Sequence, residues 1–321
     1  MTVQKVLPRE VPLGGLRAMT VRRTLPSRER SLIGAWCFVD HYGPDRVADT
    51  GGMRVAPHPH TGLQTVSWLF TGEIEHRDSA GHHALVRPGE VNLMTAGRGI
   101  SHSEVSTAPT RELHGAQLWV ALPDSARDTE PGFVHHAPQL IEGDGWAARV
   151  LVGSLLGDTS PVSTFTPLVG AELTVDEGTV LELETEPGFE YGVLVDHGVV
   201  SIGRAGPAGT EVKPGELAAL PAADEDAGWP LVIEALGGGS RVLVLGGEPF
   251  GEQIVMWWNL VGRSHDDIVG YRAEWQAQIL DDGKPVSSGH RAAPGRFGVV
   301  SDRLAPIPAP PLPNARLKAR G

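Results

Sequence analysis

Residues 58–81 read HPHTGLQTVSWLFTGEIEHRDSAG. Two histidines stand two positions apart, and a short apolar run, Gln64–Phe70, follows and closes on a Thr-Gly turn signal at 71–72. Runs of this length bounded by turn residues read as strands. In extended chain, residues i and i+2 project to one side, so His58 and His60 point together and Pro59 points away.

Working outward, the same texture recurs at Leu113–Leu122, Ala148–Val152, Thr179–Leu183, Gly192–Val195 and Arg241–Leu245. Glycine (41) and proline (26) punctuate these segments, which is the pattern of an all-β sandwich or barrel. One helix is predicted late, over Asp266–Ile279, with Ser264 or Asp266 as its cap. The tail from Lys284 onward is rich in Gly, Pro and Arg, and APIPAPPLP (305–313) reads as extended polyproline-like chain outside the packed core.

An internal repeat sharpens this reading. ALVRPGEVNLM (84–94) resembles TEVKPGELAAL (210–220), an offset of 126 residues. The same offset lays Thr71–Gly72 on His197–Gly198 and HPHTGLQ (58–64) on ETEPGFE (184–190). The chain therefore reads as two copies of one β domain: 1–135, a linker at 136–146, a second domain with the helix at 147–283, and the tail at 284–321.

Two histidines alone make a weak metal site, and MTAGRGISHSEVS (94–106) supplies a second pair. His102 and Glu104 are again i and i+2. Three neutral imidazoles and a carboxylate suit iron, copper, nickel, manganese or zinc and argue against calcium or a thiolate cluster. An octahedral ion held by four such ligands keeps about two positions open for substrate or O₂, whereas a closed tetrahedral zinc is structural. The second copy acts as an internal control. Glu184 and Glu186 stand where the first copy has His58 and His60, and His102 and Glu104 fall near Gly228 and Pro230. The scaffold is duplicated and the ligand set is not.

Other polar residues carry blander readings. His76 and Asp78 read first as turn chemistry and second as a pair orienting a ligand imidazole. His82–His83 and His135–His136 are adjacent pairs whose members face opposite sides, and they read as solvated. Gln117 lies on an alternating strand as a candidate inward amide. Net charge is −12 with no basic stripe, which argues against direct nucleic-acid contact. The one cysteine, Cys37, forms no internal disulfide and reads as a buried small hydrophobe. With no apolar leader-like segment at the N-terminus and no long apolar stretch, a soluble cytoplasmic protein without a membrane span is expected.

HPHTGLQTVSWLFTGEIEHRDSAG followed by PGEVNLMTAGRGISHSE resembles the signature of the pirin family, two-domain proteins of the cupin superfamily. The likeness continues through FVDHYGP (38–44), LHGAQLWVALP (113–123) and GEPFGEQIVMWWNLVGRSHDDI (247–268), from about residue 10 to 280. Gln64 stands where many cupins carry a glutamate ligand. The resemblance implies two stacked jelly-roll β-barrel (cupin) domains with a C-terminal helix that packs back on the first domain. It implies one divalent metal, Fe(II) before Zn, Cu, Ni or Mn, on His58, His60, His102 and Glu104 of the first domain. It also implies a quercetin 2,3-dioxygenase type of oxidoreductase, with O₂ and a flavonol or other enol as substrates and Glu104 as the base. The alternative is a redox-sensing regulatory protein acting through protein partners. A monomer is expected.

Overall fold

The computed structural model describes residues 3–13, 19–204, 209–222, 228–281, 284–285 and 295–321. Its contacts divide the chain into two compact units, neither of them contiguous: residues 1–10, 22–41 and 136–250 form one, and residues 11–21, 42–135 and 251–321 form the other. The limits expected at 135, 147 and 283 divide the chain differently, and position 283 lies outside the described residues. The terminal helix and the tail group with the histidine-bearing strands.

In the histidine-bearing unit, seven strands follow the apolar runs: β1 (Arg54–His60), β2 (Leu63–Thr71), β3 (Ile74–Asp78), β4 (His83–Val86), β5 (Val91–Thr95), β6 (Ile100–Ser106) and β7 (Glu112–Ala121). They form an antiparallel sheet of order β1-β6-β3-β4 and a second containing β5-β2-β7. The other unit repeats this plan with β8 (Val180–Glu184), β9 (Glu190–His197), β10 (Val200–Arg204), β11 (Thr210–Val212), β12 (Leu217–Leu220), β13 (Pro230–Ala235) and β14 (Ser240–Gly247). Its sheets run β8-β13-β10-β11 and, within a longer sheet, β12-β9-β14. Displaced by 126 residues, Ile74–Asp78 becomes Val200–Arg204, the two strands coinciding end to end. The duplication is therefore one of jelly-roll topology, strand for strand.

The gapless offset fails at one place. His58 pairs with His102, and its counterpart Glu184 pairs with Pro230. His76 pairs with Glu104, and its counterpart Ile202 pairs with Ile233. In the unbulged register across β3 and β10, His102 pairs with Asp78 and Leu231 with Arg204, so a few extra residues before β13 move the equivalents of His102 and Glu104 to Leu231 and Ile233. The interior of this unit is a continuous apolar cluster that includes Leu181, Leu183, Ile202, Leu231 and Ile233. Cys37 is fully buried, and burial pushes its thiol up to about 12, which keeps it inert.

Back in the histidine-bearing unit, a hairpin of β15 (Val255–Trp257) and β16 (Leu260–Gly262) leads into α1 (His265–Ile279). Of the two cap residues considered, the structure uses Ser264. Its hydroxyl accepts from the Asp267 N–H at 3.0 Å, while the Asp267 carboxylate accepts from the Ser264 N–H at 3.0 Å. Trp275 and Ile268 pack with Val255, Leu260, Phe297 and Ala309. The expectation that 305–313 lies outside the core is corrected here. Ala309 is buried, the Trp275 indole donates to the Ile307 carbonyl at 2.9 Å, and Gln276 Oε1 accepts from the Ala309 N–H at 2.8 Å. Polyproline-like chain leaves its backbone polar groups unpaired, and side chains of α1 supply the missing partners. Of the tail, residues 286–294 lie outside the described residues.

Candidate metal centre

The pleat of β1 turns His58 and His60 to one side, as the spacing predicts, and that side is the interior: both are buried along with His102 and Glu104 on β6. Between the His58–His102 and Val55–Glu104 pairs, the ladder slips by one residue on the β1 side. This bulge lets Val55 join the apolar cluster while His58 also faces inward. Pro57 lies within it, where the absent N–H breaks no ladder bond.

Two of the imidazoles are oriented by backbone carbonyls. His58 Nδ1 lies 2.9 Å from the carbonyl of Ala56, and His60 Nδ1 lies 3.0 Å from that of Asn259. A carbonyl only accepts, so each Nδ1 carries the hydrogen and each Nε2 keeps its lone pair. Asn259 sits in the β15–β16 turn, and this hairpin is pinned to the end of β1. Thr61 Oγ1 donates to the Val261 carbonyl at 3.0 Å, and the Val261 N–H donates to the Thr61 carbonyl at 3.2 Å. Gly62 follows with φ +65°, where a Cβ would meet the Val261 carbonyl oxygen at 2.6 Å, so only glycine fits.

His60 Nε2 faces His102 Nε2 at 3.0 Å, and the ligand atoms of His58, His60 and His102 lie within 4.8 Å of one another. Nitrogens bound to one ion at about 2.1 Å each can stand up to about 4.2 Å apart, so the His60–His102 pair is close enough to share an ion. Burial lowers His58 to about 4 and pushes His60 and His102 well below the ordinary histidine range, so all three imidazoles are neutral at pH 7. The donor set fits a borderline divalent transition metal.

Glu104 belongs to a second, overlapping cluster. Its carboxylate lies within 4.8 Å of His76 and His102 ligand atoms, so His102 is common to both groups. Burial raises the Glu104 pKa, against smaller opposing effects from His76 and from the Ser67 hydroxyl 3.4 Å away. Ser67 Oγ also lies 3.0 Å from Gln117 Oε1. Gln117 is half-buried on a strand whose neighbours from Leu113 to Leu122 are all buried, and it lies beside the buried Ser67. Trp119 packs edge-on against His60, with centroids 5.1 Å apart.

The turn reading holds for Asp78, whose Oδ1 accepts the Asx-type bond from the Ala80 N–H at 3.0 Å, and fails for His76. Both lie on β3 and are buried, and His76 meets His102 with 3.4 Å between their Nδ1 atoms. The alternation Ile74–His76–Asp78 was the available signal, since Ile74 is a core residue. His82 is half-exposed and hydrogen-bonds Asp78, and His135 hydrogen-bonds Asn92 Oδ1 at 2.6 Å, so neither is simply solvated. A cleft of about 530 Å³ lies on the outward side of β6, lined by Arg54, Glu75, Arg77, Val105 and residues 301–304, with none of the three clustered histidines in its wall.

The three histidines give a pH signature. In the unfolded chain each binds a proton below about pH 6.5, while in the folded chain each stays neutral down to the lower range, about 4 for His58. The unfolded state then holds more protons, so stability of the metal-free protein falls as pH drops from about 6.5 towards 4. The slope is at most about 1.4 kcal/mol per pH unit per histidine. Urea midpoints that stay level between pH 7 and pH 5 would contradict this.

Two jelly-roll units of one topology, one with an inward histidine set and the other filled with aliphatic side chains, define a two-domain cupin protein. The chain belongs to the pirin family: residues 18–120 match Pirin and residues 170–281 match the Pirin C-terminal cupin domain. It is 41% identical over 314 residues, 97% of this chain and 91% of the relative, to the Pseudomonas aeruginosa protein named "Putative quercetin 2,3-dioxygenase PA1205". A pirin-like protein of Caulobacter vibrioides is 35% identical over 266 residues, covering 80% of this chain and 88% of the relative. Among solved structures, a quercetin 2,3-dioxygenase from Acinetobacter baumannii superposes with a TM-score of 0.85 at 38% identity, covering 99% of this chain and 98% of that one. Among the described residues, no helix is long and apolar enough to cross a membrane.

Proposed function

We propose that this chain is a metal-dependent oxidoreductase of the quercetin 2,3-dioxygenase type, cleaving a flavonol or similar enol with O₂. The observation that carries the reading is the convergence of three buried, neutral imidazoles beside a buried carboxyl group of raised pKa. The names of the Pseudomonas and Acinetobacter relatives support the same reaction class. His58, His60, His102 and Glu104 are the proposed ligands, with Fe(II) the first choice of metal. An ion held there supplies Lewis acidity towards the substrate hydroxyl and a template that brings substrate and O₂ together.

The chain's own residues do the rest. Glu104, held by Ser67, takes the proton of the substrate hydroxyl. Its raised pKa narrows the gap to that acid and makes the transfer easier. Gln117, half-buried on β7, lines the way in and offers an amide to substrate oxygens. Trp119 holds the His60 ring edge-on and keeps water from that side.

The test is decay of quercetin absorbance under O₂ with metal content measured on the same sample. Metal-dependent loss is expected, and Glu104→Gln should slow it by about 10²-fold or more at saturating metal. A fully loaded protein that leaves flavonols and other enols untouched would remove the dioxygenase reading and leave a redox-sensing role through protein partners.

A further inference from the structure

The proton of His102 is not fixed by a carbonyl, unlike those of His58 and His60. Its Nδ1 faces His76 Nδ1 at 3.4 Å, and His76 Nε2 lies 3.3 Å from Asp78 Oδ2. We propose that Asp78 and His76 form a positioning pair that places the His102 proton on Nδ1 and thereby keeps Nε2 open as a ligand.

The chain of roles runs from the carboxylate inwards. Asp78 Oδ1 accepts from the backbone N–H groups of Ala80 and His82, each at 3.0 Å, and Oδ2 lies 3.0 Å from His82 Nδ1. Burial works against its charge, but hydrogen bonds from His76 and the His82 backbone outweigh this and hold its pKa below the usual carboxylate value. An ionised carboxylate only accepts, so His76 Nε2 carries the hydrogen. With that hydrogen on Nε2, His76 presents Nδ1 as an acceptor, and the group facing it is His102 Nδ1, which donates. The Nε2 of His102 is left unprotonated, pointing at His60 Nε2 at 3.0 Å. Two bare lone pairs at that distance repel unless a cation lies between them. The inference thus rests on the metal reading above and accounts for the third ligand. The pairing of His102 with Asp78 across β6 and β3, with His76 opposite Glu104, sets this row by strand register.

Asp78→Asn gives a directed test. The two backbone N–H donors hold the amide oxygen at the Oδ1 position, which puts the NH₂ group where Oδ2 was. That NH₂ must donate to His76 Nε2. His76 then carries its proton on Nδ1 and donates to His102 Nδ1, so the His102 proton moves to Nε2. Long-range ¹H–¹⁵N spectra of the chelator-treated full chain read this directly: His102 protonated on Nδ1 in the wild type and on Nε2 in Asp78→Asn, with His58 and His60 unchanged. Zn(II) titration should show affinity about 10- to 100-fold lower in Asp78→Asn. His76→Phe removes the acceptor without reversing it. It should give both His102 tautomers and a smaller loss, and it carries the test if Asp78→Asn does not fold. His102 protonated on Nε2 in the wild type, a tautomer that ignores both substitutions, or a switch without loss of affinity would each overturn the proposal. A wild type that binds no Zn(II) while the tautomer still switches would defeat the metal reading instead.

Discussion

His60→Ala is expected to lose metal affinity by at least about 100-fold and to abolish metal-dependent quercetin turnover. The substitution acts at three points. It removes an imidazole whose Nε2 faces that of His102. It leaves the Asn259 carbonyl without its donor. It opens space against Trp119, whose ring packs on His60. The jelly roll should survive, because the apolar cluster around Leu69, Ile74 and Leu113 in the same unit does not include His60. Circular dichroism should therefore stay unchanged while metal is lost on dialysis. The fall in stability below pH 6.5 should also become shallower by the share of one buried histidine. A His60→Ala protein that retains one tightly bound ion per chain would sink the ligand assignment.

Trp275→Ala is expected to cost about 3–5 kcal/mol. Trp275 is almost fully buried, meets Phe297 edge-on at 5.5 Å, and donates to the Ile307 carbonyl. Truncation leaves a cavity in the cluster that joins α1, the β15–β16 hairpin and the tail. It also leaves an orphaned carbonyl where the polyproline-like chain docks. The effect should reach the metal centre. Leu260 of the same cluster bridges to Thr61, and Asn259 beside it holds His60. Thermal unfolding should show the loss of stability, and metal titration should show weaker binding. Unchanged metal affinity in a destabilised protein would mean that the hairpin keeps its place on β1 without the helix.

The pairing of His58 with His60 and of His102 with Glu104 is legible because a strand has a period of two. Once Gln64–Phe70 was recognised as a strand signal, the HPH spacing placed two imidazoles on one side, and His102 and Glu104 followed by the same rule. The domain duplication was legible because two turn signatures recur at one offset. The burial of His76 is hidden in the sequence because the stretch from Gly72 is rich in polar residues and looks like a loop. Its burial comes from pairing with β6 on one side and contact with Phe133 on the other. The docking of the tail at Ile307 and Ala309 is hidden for a related reason. Proline predicts extended chain correctly but says nothing about whether a helix offers it hydrogen-bond partners.

By itself the sequence determined a twofold all-β chain, the strand that carries each of the two pairs, His58 with His60 and His102 with Glu104, and that the members of each pair share a side. These follow from backbone geometry that repeats every two residues and needs only neighbours along the chain. Only the tertiary structure decided that the tail joins the helix beside the histidine-bearing strands, and that Glu104 stands with His76 and His102. It alone assigned the His60 proton to the carbonyl of Asn259, 199 residues away. A backbone carbonyl is the same for every residue type, so a contact made through one leaves no mark in the sequence, and its position is set by how distant segments pack.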